Sequence, residues 1–227
     1  MPIKPILFNT EMVRAILDGR KTCTRRICKD ANECTVPDMD FYNADRRTYA
    51  VHNFADLEHT EKLSIAERTC PICPGDILYV RETWERFECC NCDGDERGNC
   101  PKEPKKSVLD KTCGCYMYRA TDEISGDAKW HQSIHMPKEA ARIWLEVTNV
   151  RVERLRDITG LSVQKEGIEV EPNECAGKFD FVSELFLLFQ RLWDSTIKKS
   201  DLDCYGWDAN PWVWVIEFEQ CERPEGV

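Results

Sequence analysis

Short runs with strand character recur from one end of this chain to the other: Pro5 to Asn9, Lys21 to Ile27, Ile77 to Trp84, Cys115 to Ala120, Ala140 to Leu155 and Trp212 to Glu219. Ile77 to Trp84 alternates like a half-buried strand. In the last run Trp212, Trp214, Ile216 and Phe218 face one side, and Val213, Val215, Glu217 and Glu219 the other. Ile143, Leu145 and Val147 are followed by Val150 and Val152, and that change of parity at Thr148-Asn149 predicts a bulge or bend in one long strand. Strands spread along the chain, with loops and few helices between them, argue against a parallel α/β sheet. They favour an α+β arrangement, a mixed β-barrel with helices at its ends.

Three stretches carry helical periodicity. Met12, Val13, Ile16 and Leu17 share one face of a helix for which Thr10 is the expected N-cap and Gly19 the stop. Ile158 to Glu166 reads as a short helix closed by Gly167. Phe179 to Ser195 is a longer one, with Phe181, Leu185, Leu188, Phe189, Leu192 and Trp193 on a broad apolar stripe. Pro74-Gly75-Asp76 is a turn signal. Residues 28–69 are polar and irregular, with weak helical character around Ala55 to Arg68, and residues 85–114 are crowded with Cys, Gly, Pro and Lys. We read both as insertions in a single domain spanning 1–227, a length that allows one sizeable core.

The net charge of -10 excludes a long basic groove of the kind that grips a polyanion by counterion release, but not a local basic pocket. No apolar run approaches the ~18 residues of a membrane span, and Met-Pro-Ile-Lys-Pro lacks the apolar core of a signal peptide, so a cytoplasmic protein is expected.

The densest basic stretch in the first third of the chain is Gly19-Arg20-Lys21-Thr22-Cys23-Thr24-Arg25-Arg26. Its plain reading is a solvated helix end, where cations are favourable by ~0.3 to 1 kcal/mol. Its chemical reading is a lysine beside a threonine hydroxyl, a base and nucleophile pair. On an ideal strand residues three apart point to opposite faces, so Lys21 and Thr24 cooperate only if the backbone turns between them.

Six of the fourteen cysteines, Cys89, Cys90, Cys92, Cys100, Cys113 and Cys115, fall within 27 residues. Cys89-x-x-Cys92 followed by a second close pair lets four thiolates converge on a structural zinc, with Cys89, Cys92, Cys100, Cys113 and Cys115 as the candidate ligands. Free thiols and an iron-sulfur cluster are the alternatives. Cys70-Pro71-Ile72-Cys73 could join that site, form its own, or be two thiols near a turn. Glu82 and Trp84, together with Trp207, Asn210 and Trp212, could line a pocket where a planar base stacks, against the plain alternative that Trp212 and Trp214 are core. Glu166 reads from its surroundings as a helix-surface glutamate, and His131 and His135 as structural.

These motifs together resemble the ASCH-domain proteins of the larger bacterial and phage type. The resemblance rests on Gly-Arg-Lys-Thr-x-Thr-Arg-Arg, Pro74-Gly75-Asp76-x-Leu78-x-Val80-Arg81-Glu82-Thr83-Trp84 and Ser133-Ile134-His135-Met136-Pro137. It rests also on Glu166-Gly167-Ile168, Leu192-Trp193 and Trp207-x-x-Asn210-Pro211-Trp212-Val213-Trp214-Val215, and it covers most of the chain apart from 28–69 and 85–114. It implies a PUA-like mixed β-barrel with a cleft beside the N-terminal helix, and a nucleic-acid or nucleotide partner. A small bacterial member is an amidohydrolase that removes the acyl group from acylated cytidine. Its lysine, threonine and glutamate match Lys21, Thr24 and Glu166.

Two functions follow as expectations. In a binding module, Arg20, Arg25 and Arg26 contact phosphate and a Trp stacks on a nucleobase, modified or not, of a nucleoside, nucleotide or short single-stranded RNA. In a hydrolase, Lys21 is the base, Thr24 the nucleophile and Glu166 the orienting carboxylate, and a ribonuclease variant would use the same basic residues. A phage assembly or host-interaction role is suggested only by the type of genome that such proteins come from.

Overall fold

The computed structural model describes residues 1–29, 36–43, 48–53, 64–69, 71–88, 114–123, 129–170 and 181–226. At 36–43, 48–53, 64–69, 87–88 and 114–115 the description is of the backbone. Ten strands are described: β1 (Ile3–Leu7), β2 (Cys23–Ile27), β3 (Val36–Asn43), β4 (Thr48–Asn53), β5 (Ser64–Thr69), β6 (Ile77–Arg81), β7 (Trp84–Glu88), β8 (Gly114–Tyr118), β9 (Trp144–Arg154) and β10 (Trp212–Cys221). The helices are α1 (Thr10–Leu17), α2 (Gly160–Lys165), α3 (Phe181–Thr196) and the one-turn α4 (Leu202–Tyr205).

The protein is mixed α+β, built on a five-stranded sheet in the order β1-β6-β9-β10-β2. The pair β1/β6 is parallel, β10/β2 is antiparallel, and the sheet as a whole is mostly antiparallel. The expected barrel is not formed: among the described residues the sheet is open, with β1 at one edge and β2 at the other. A second correction concerns the first insertion. Where the polar composition promised irregular chain, β3, β4 and β5 form a three-stranded antiparallel sheet. The weak helical pattern around Ala55 to Arg68 gives way to strand over Ser64–Thr69, because pairing with β4 decides the backbone where intrinsic propensity is indifferent.

The chain divides into two compact units: Met1 with Asp18–Asp76 and Glu146–Glu219, and Pro2–Leu17 with Ile77–Leu145 and Gln220–Val227. In the first, one face of the β2/β10 pair is covered by helices. Val213 and Val215 pack with Val163 of α2 and with Leu185, Phe189 and Trp193 of α3, and Ile27 packs against the same cluster. The apolar stripe read from the sequence of α3 supplies a third of the buried residues of this core. The short α2 is started by Thr159, whose side chain accepts from the Ser162 amide, and is followed by Gly167 at φ 87.

In the second unit, α1 is capped one residue earlier than expected: Asn9 Oδ1 accepts from the Met12 amide at 2.8 Å. The segment expected as one strand, Ile77 to Trp84, is two. β6 ends at Arg81, and β7 begins at Trp84 and pairs antiparallel with β8, Trp84 opposite Tyr118. β7 and β8 thus pair on either side of residues 89–113, which lie outside the described residues. Ile77, Met136, Ala140, Ala141 and Trp144 form the core beneath it. Among the described residues no helix is long and apolar enough to cross a membrane.

Leu185 is 1% exposed at the centre of the helix-covered core, so Leu185→Ala should cost about 2–5 kcal/mol. Urea unfolding measures it, and a loss below about 1 kcal/mol would show that the core lies elsewhere.

Candidate functional site

The basic stretch that follows α1 turns at Gly19, whose φ of 74 is left-handed and available to glycine at little cost. The chain then enters the sheet. Lys21 makes an isolated antiparallel bridge with Glu166, and the Thr22 amide donates to the Lys165 carbonyl at 2.9 Å. The end of α2 is thereby laid against the start of β2.

The Thr22 carbonyl accepts from Phe218 and the Cys28 amide donates to Trp212, so even-numbered residues of β2 turn their backbone groups toward β10. Cys23 and Arg25 turn theirs to the open edge. The Lys21 side chain is fully buried there. Its Nζ donates to the Cys23 carbonyl at 2.8 Å, to the Glu166 carbonyl at 3.0 Å and to Glu166 Oε2 at 2.7 Å. Three acceptors match the three N–H donors of an ammonium.

Glu166 Oε1 accepts from Arg25 Nη1 at 3.0 Å, and the other terminal nitrogen of Arg25 donates to Glu153 Oε1 at 2.6 Å. Glu153 Oε2 in turn accepts from Arg151 Nε at 3.1 Å, and Arg151 Nη1 donates to Glu217 Oε1 at 2.7 Å. A chain of alternating charge, Lys21, Glu166, Arg25, Glu153, Arg151, Glu217, thus runs from full burial to partial exposure on the helix-covered side of the sheet. It is neutral in sum, which is what makes burial of so many charges tolerable.

Beside it, burial first and the Glu166 charge second push the Cys23 thiol up to about 12, against the pull of Lys21 and Arg25. At neutral pH Cys23 is therefore a thiol and no nucleophile. For Glu217, burial alone would raise the carboxyl. The hydrogen bond and charge of Arg151 outweigh it, and the group lies below its usual 4.5.

The opposite face of β2 and β10 holds a different set. Thr24 pairs across with Ile216 and Arg26 with Trp214, and alternation puts Trp212 on the same side. Thr24 is buried, and its hydroxyl accepts from Arg26 Nη1 at 3.1 Å, as does the Arg25 carbonyl. Burial pushes the Arg26 guanidinium below its ordinary value, with the charge of Glu166 opposing. At the end of this face Arg154 lies over the Trp212 ring, 4.2 Å from its centroid. Arg26, Arg154 and Trp212 are half-buried, whereas Trp214 and Ile216 are buried.

The structure thus brings Lys21, Arg25 and Glu166 into one bonded group and joins Thr24 to Arg26. Arg20 is held by Asp18 at 2.8 Å, by Glu169 at 3.4 Å and by the Gly167 carbonyl. Trp207 packs edge-on against Phe189 and belongs to the helix-covered core. Asn210, at φ 48, accepts the Arg156 amide on Oδ1 and Arg154 Nη1 on its carbonyl. Glu82 and Trp84 lie in the second unit. Glu82 is buried, accepts two bonds from Arg142 at 2.9 and 3.0 Å, and is pushed up by burial against that pairing. Arg142 also stacks on Tyr118, 4.0 Å from the ring centroid. Trp84 packs against Tyr116 and His131.

Arg142, Glu153, Arg151, Glu217 and Arg154 were missed from sequence. For Arg151 and Glu153 the available signal was charge alternating with Val150 and Val152 along β9. Cys89, Cys92, Cys100 and Cys113 lie outside the described residues, as do Cys90, Cys70 and the side chain of Cys115. Cys73 is buried in the turn closed by Asp76. Among the described residues no group of His, Cys, Asp and Glu could hold a metal ion.

No protein-family model matches this chain. No curated protein and no solved structure matches it either.

Two outcomes are expected of the ion chain. Glu166→Gln leaves Lys21 and Arg25 buried without their carboxylate and should cost about 3–5 kcal/mol in urea unfolding; a change within about 1 kcal/mol would mean the pair is solvated. Glu217 has a lowered folded-state value, so its contribution is present above pH 4.5 and lost as pH falls through the folded value. The stability difference between the wild type and Arg151→Ala, at most about 1 kcal/mol for so exposed a pair, should be full at pH 7 and shrink below about pH 4.5. A difference independent of pH would contradict the assignment.

Proposed function

We propose that the first unit binds a nucleotide or short single-stranded RNA on the face of β2 and β10 that carries Thr24, Arg26, Trp212 and Arg154. The observation that carries this is the grouping of two arginines and a half-buried indole on one side of the sheet, with Arg26 held in place by the Thr24 hydroxyl and the Arg25 carbonyl. An indole offers a stacking surface to any base, and positioned guanidinium groups suit phosphate oxygens. The charges on the other face cancel one another and supply the scaffold. The acidic net charge fits one or a few nucleotides better than a duplex. The ASCH resemblance, with its PUA-like fold and nucleotide-binding role, supports the same partner class, and we hold it on the motifs quoted above.

A second function, deacylation of N-acylated cytidine, is favoured by the 2.7 Å contact between Lys21 and Glu166, residues 145 positions apart. The full set of acceptors around Lys21 stands against it. A base must give up a proton and reach its nucleophile, and Lys21 Nζ is instead bonded to Cys23 and Glu166, while Thr24 accepts from Arg26. A ribonuclease or a phage assembly role draws on no feature beyond these.

Incubation with N4-acetylcytidine 5′-monophosphate, followed by its ultraviolet change, separates the two. Saturable binding without turnover, weakened about tenfold in Arg26→Ala, is the expected result. Turnover that disappears in both Lys21→Ala and Thr24→Val would establish the hydrolase instead. Zinc in the cysteine-rich segment rests on ligand type and spacing. Elemental analysis of protein purified without chelator should find about one equivalent, and none would remove the structural site.

A further inference from the structure

Arg154 differs from the three arginines of its unit that are held in ion pairs. Arg20, Arg25 and Arg151 each face a carboxylate, whereas among the described residues no carboxylate pairs with Arg154. Its seat is built nonetheless. One face of the guanidinium lies over the Trp212 ring at 4.2 Å, and Nη1 donates to the Asn210 carbonyl at 3.0 Å.

That carbonyl is aimed by a residue in an uncommon conformation. Asn210 is the one non-glycine residue with positive φ among those described, and its side chain accepts from the Arg156 amide at 2.8 Å. The Trp207–Trp212 segment is thereby fastened to the end of β9. Asparagine is among the few residues that take the left-handed region without large strain.

A guanidinium anchored by Nη1 and stacked on one face keeps Nε and Nη2 as a planar fork. That fork matches two oxygens of a phosphate, and the stack holds it there with little rotamer entropy left to lose. Stacking against indole also strips water from one side of the cation and strengthens what it binds on the other. Arg26 lies on the same face, one strand beyond Trp212.

We propose that Arg154 is the phosphate anchor of this face, and therefore that the ligand is a nucleoside phosphate rather than a free nucleoside. The proposal rests on the binding role given above and adds to it the chemical class of the ligand. Trp212 then supports the anchoring cation with one ring face. The base stacks on the side of Arg26, and a terminal monoester and an internal phosphodiester present the same two oxygens to the fork.

Calorimetric titration with cytidine, cytidine 5′-monophosphate and the dinucleotide CpC tests this. In the wild type the monophosphate should bind at least about tenfold more tightly than cytidine. In Arg154→Ala that preference should vanish, the monophosphate binding no more tightly than cytidine does to the same variant. Arg154→Lys keeps the charge without the planar fork and should recover only part of the preference. Circular dichroism melting shows that each variant is folded; if Arg154→Ala is not, Arg154→Lys carries the test, and full preference in it refutes the fork. CpC matching the monophosphate identifies a diester ligand; CpC binding no better than cytidine identifies a terminal phosphate. Equal binding of cytidine and the monophosphate by the wild type would overturn the anchor and leave the nucleoside site standing. Failure of all three to bind would remove the site itself.

Discussion

The carboxylate of Glu166 is the joint on which the first unit depends. One oxygen takes the Lys21 ammonium and the other the Arg25 guanidinium, so a single buried side chain fixes the end of α2 to both ends of the turn into β2. A buried charge with two partners tolerates no substitute that lacks either its charge or its shape. The core around Leu185 and Phe189 holds the helices on the sheet by area. The Glu166 joint determines where along the edge strand α2 ends.

That joint has a consequence across the sheet. Because Arg25 is pinned on the helix-covered side, its carbonyl and the neighbouring Thr24 hydroxyl are fixed in place, and both accept from Arg26 on the other side. Strand alternation thus converts one basic stretch into two functions. The odd-numbered arginine is neutralised within the fold, and the even-numbered one turns to the opposite face. The same parity on β9 separates Arg151 and Glu153, which join the ion chain, from Arg154, which sits on Trp212.

Much of this was legible in the residues, and the failures are physical. Gly19 and Gly167 marked the two turns correctly because positive φ belongs to glycine, and the stripe of α3 identified its buried side. The requirement that Lys21 and Thr24 share a side was stated from strand geometry, and the structure gives each its own set of partners. Glu166 looked like a surface residue because nothing local shows that Lys21, far away in sequence, will cover it. Pairing of Glu153 with Arg25 and of Glu82 with Arg142 was hidden for the same reason: ion pairs between strands have no spacing. The open sheet departs from the barrel because closure depends on which edges meet, and no strand pattern records that. The strands Val36–Asn43, Thr48–Asn53 and Ser64–Thr69 were missed because short, mixed polar and apolar segments carry little periodic signal.

The most direct test of nucleotide binding on the Arg26 and Trp212 face is nuclear magnetic resonance of the indole N–H groups in 15N-tryptophan-labelled protein, with Trp212→Phe assigning the one resonance. On titration with cytidine 5′-monophosphate, the Trp212 resonance should move in proportion to occupancy while that of Trp193, buried in the helix-covered core, stays still. Movement of Trp193 with Trp212 unaffected, or no movement of Trp212 at saturation, would contradict the account.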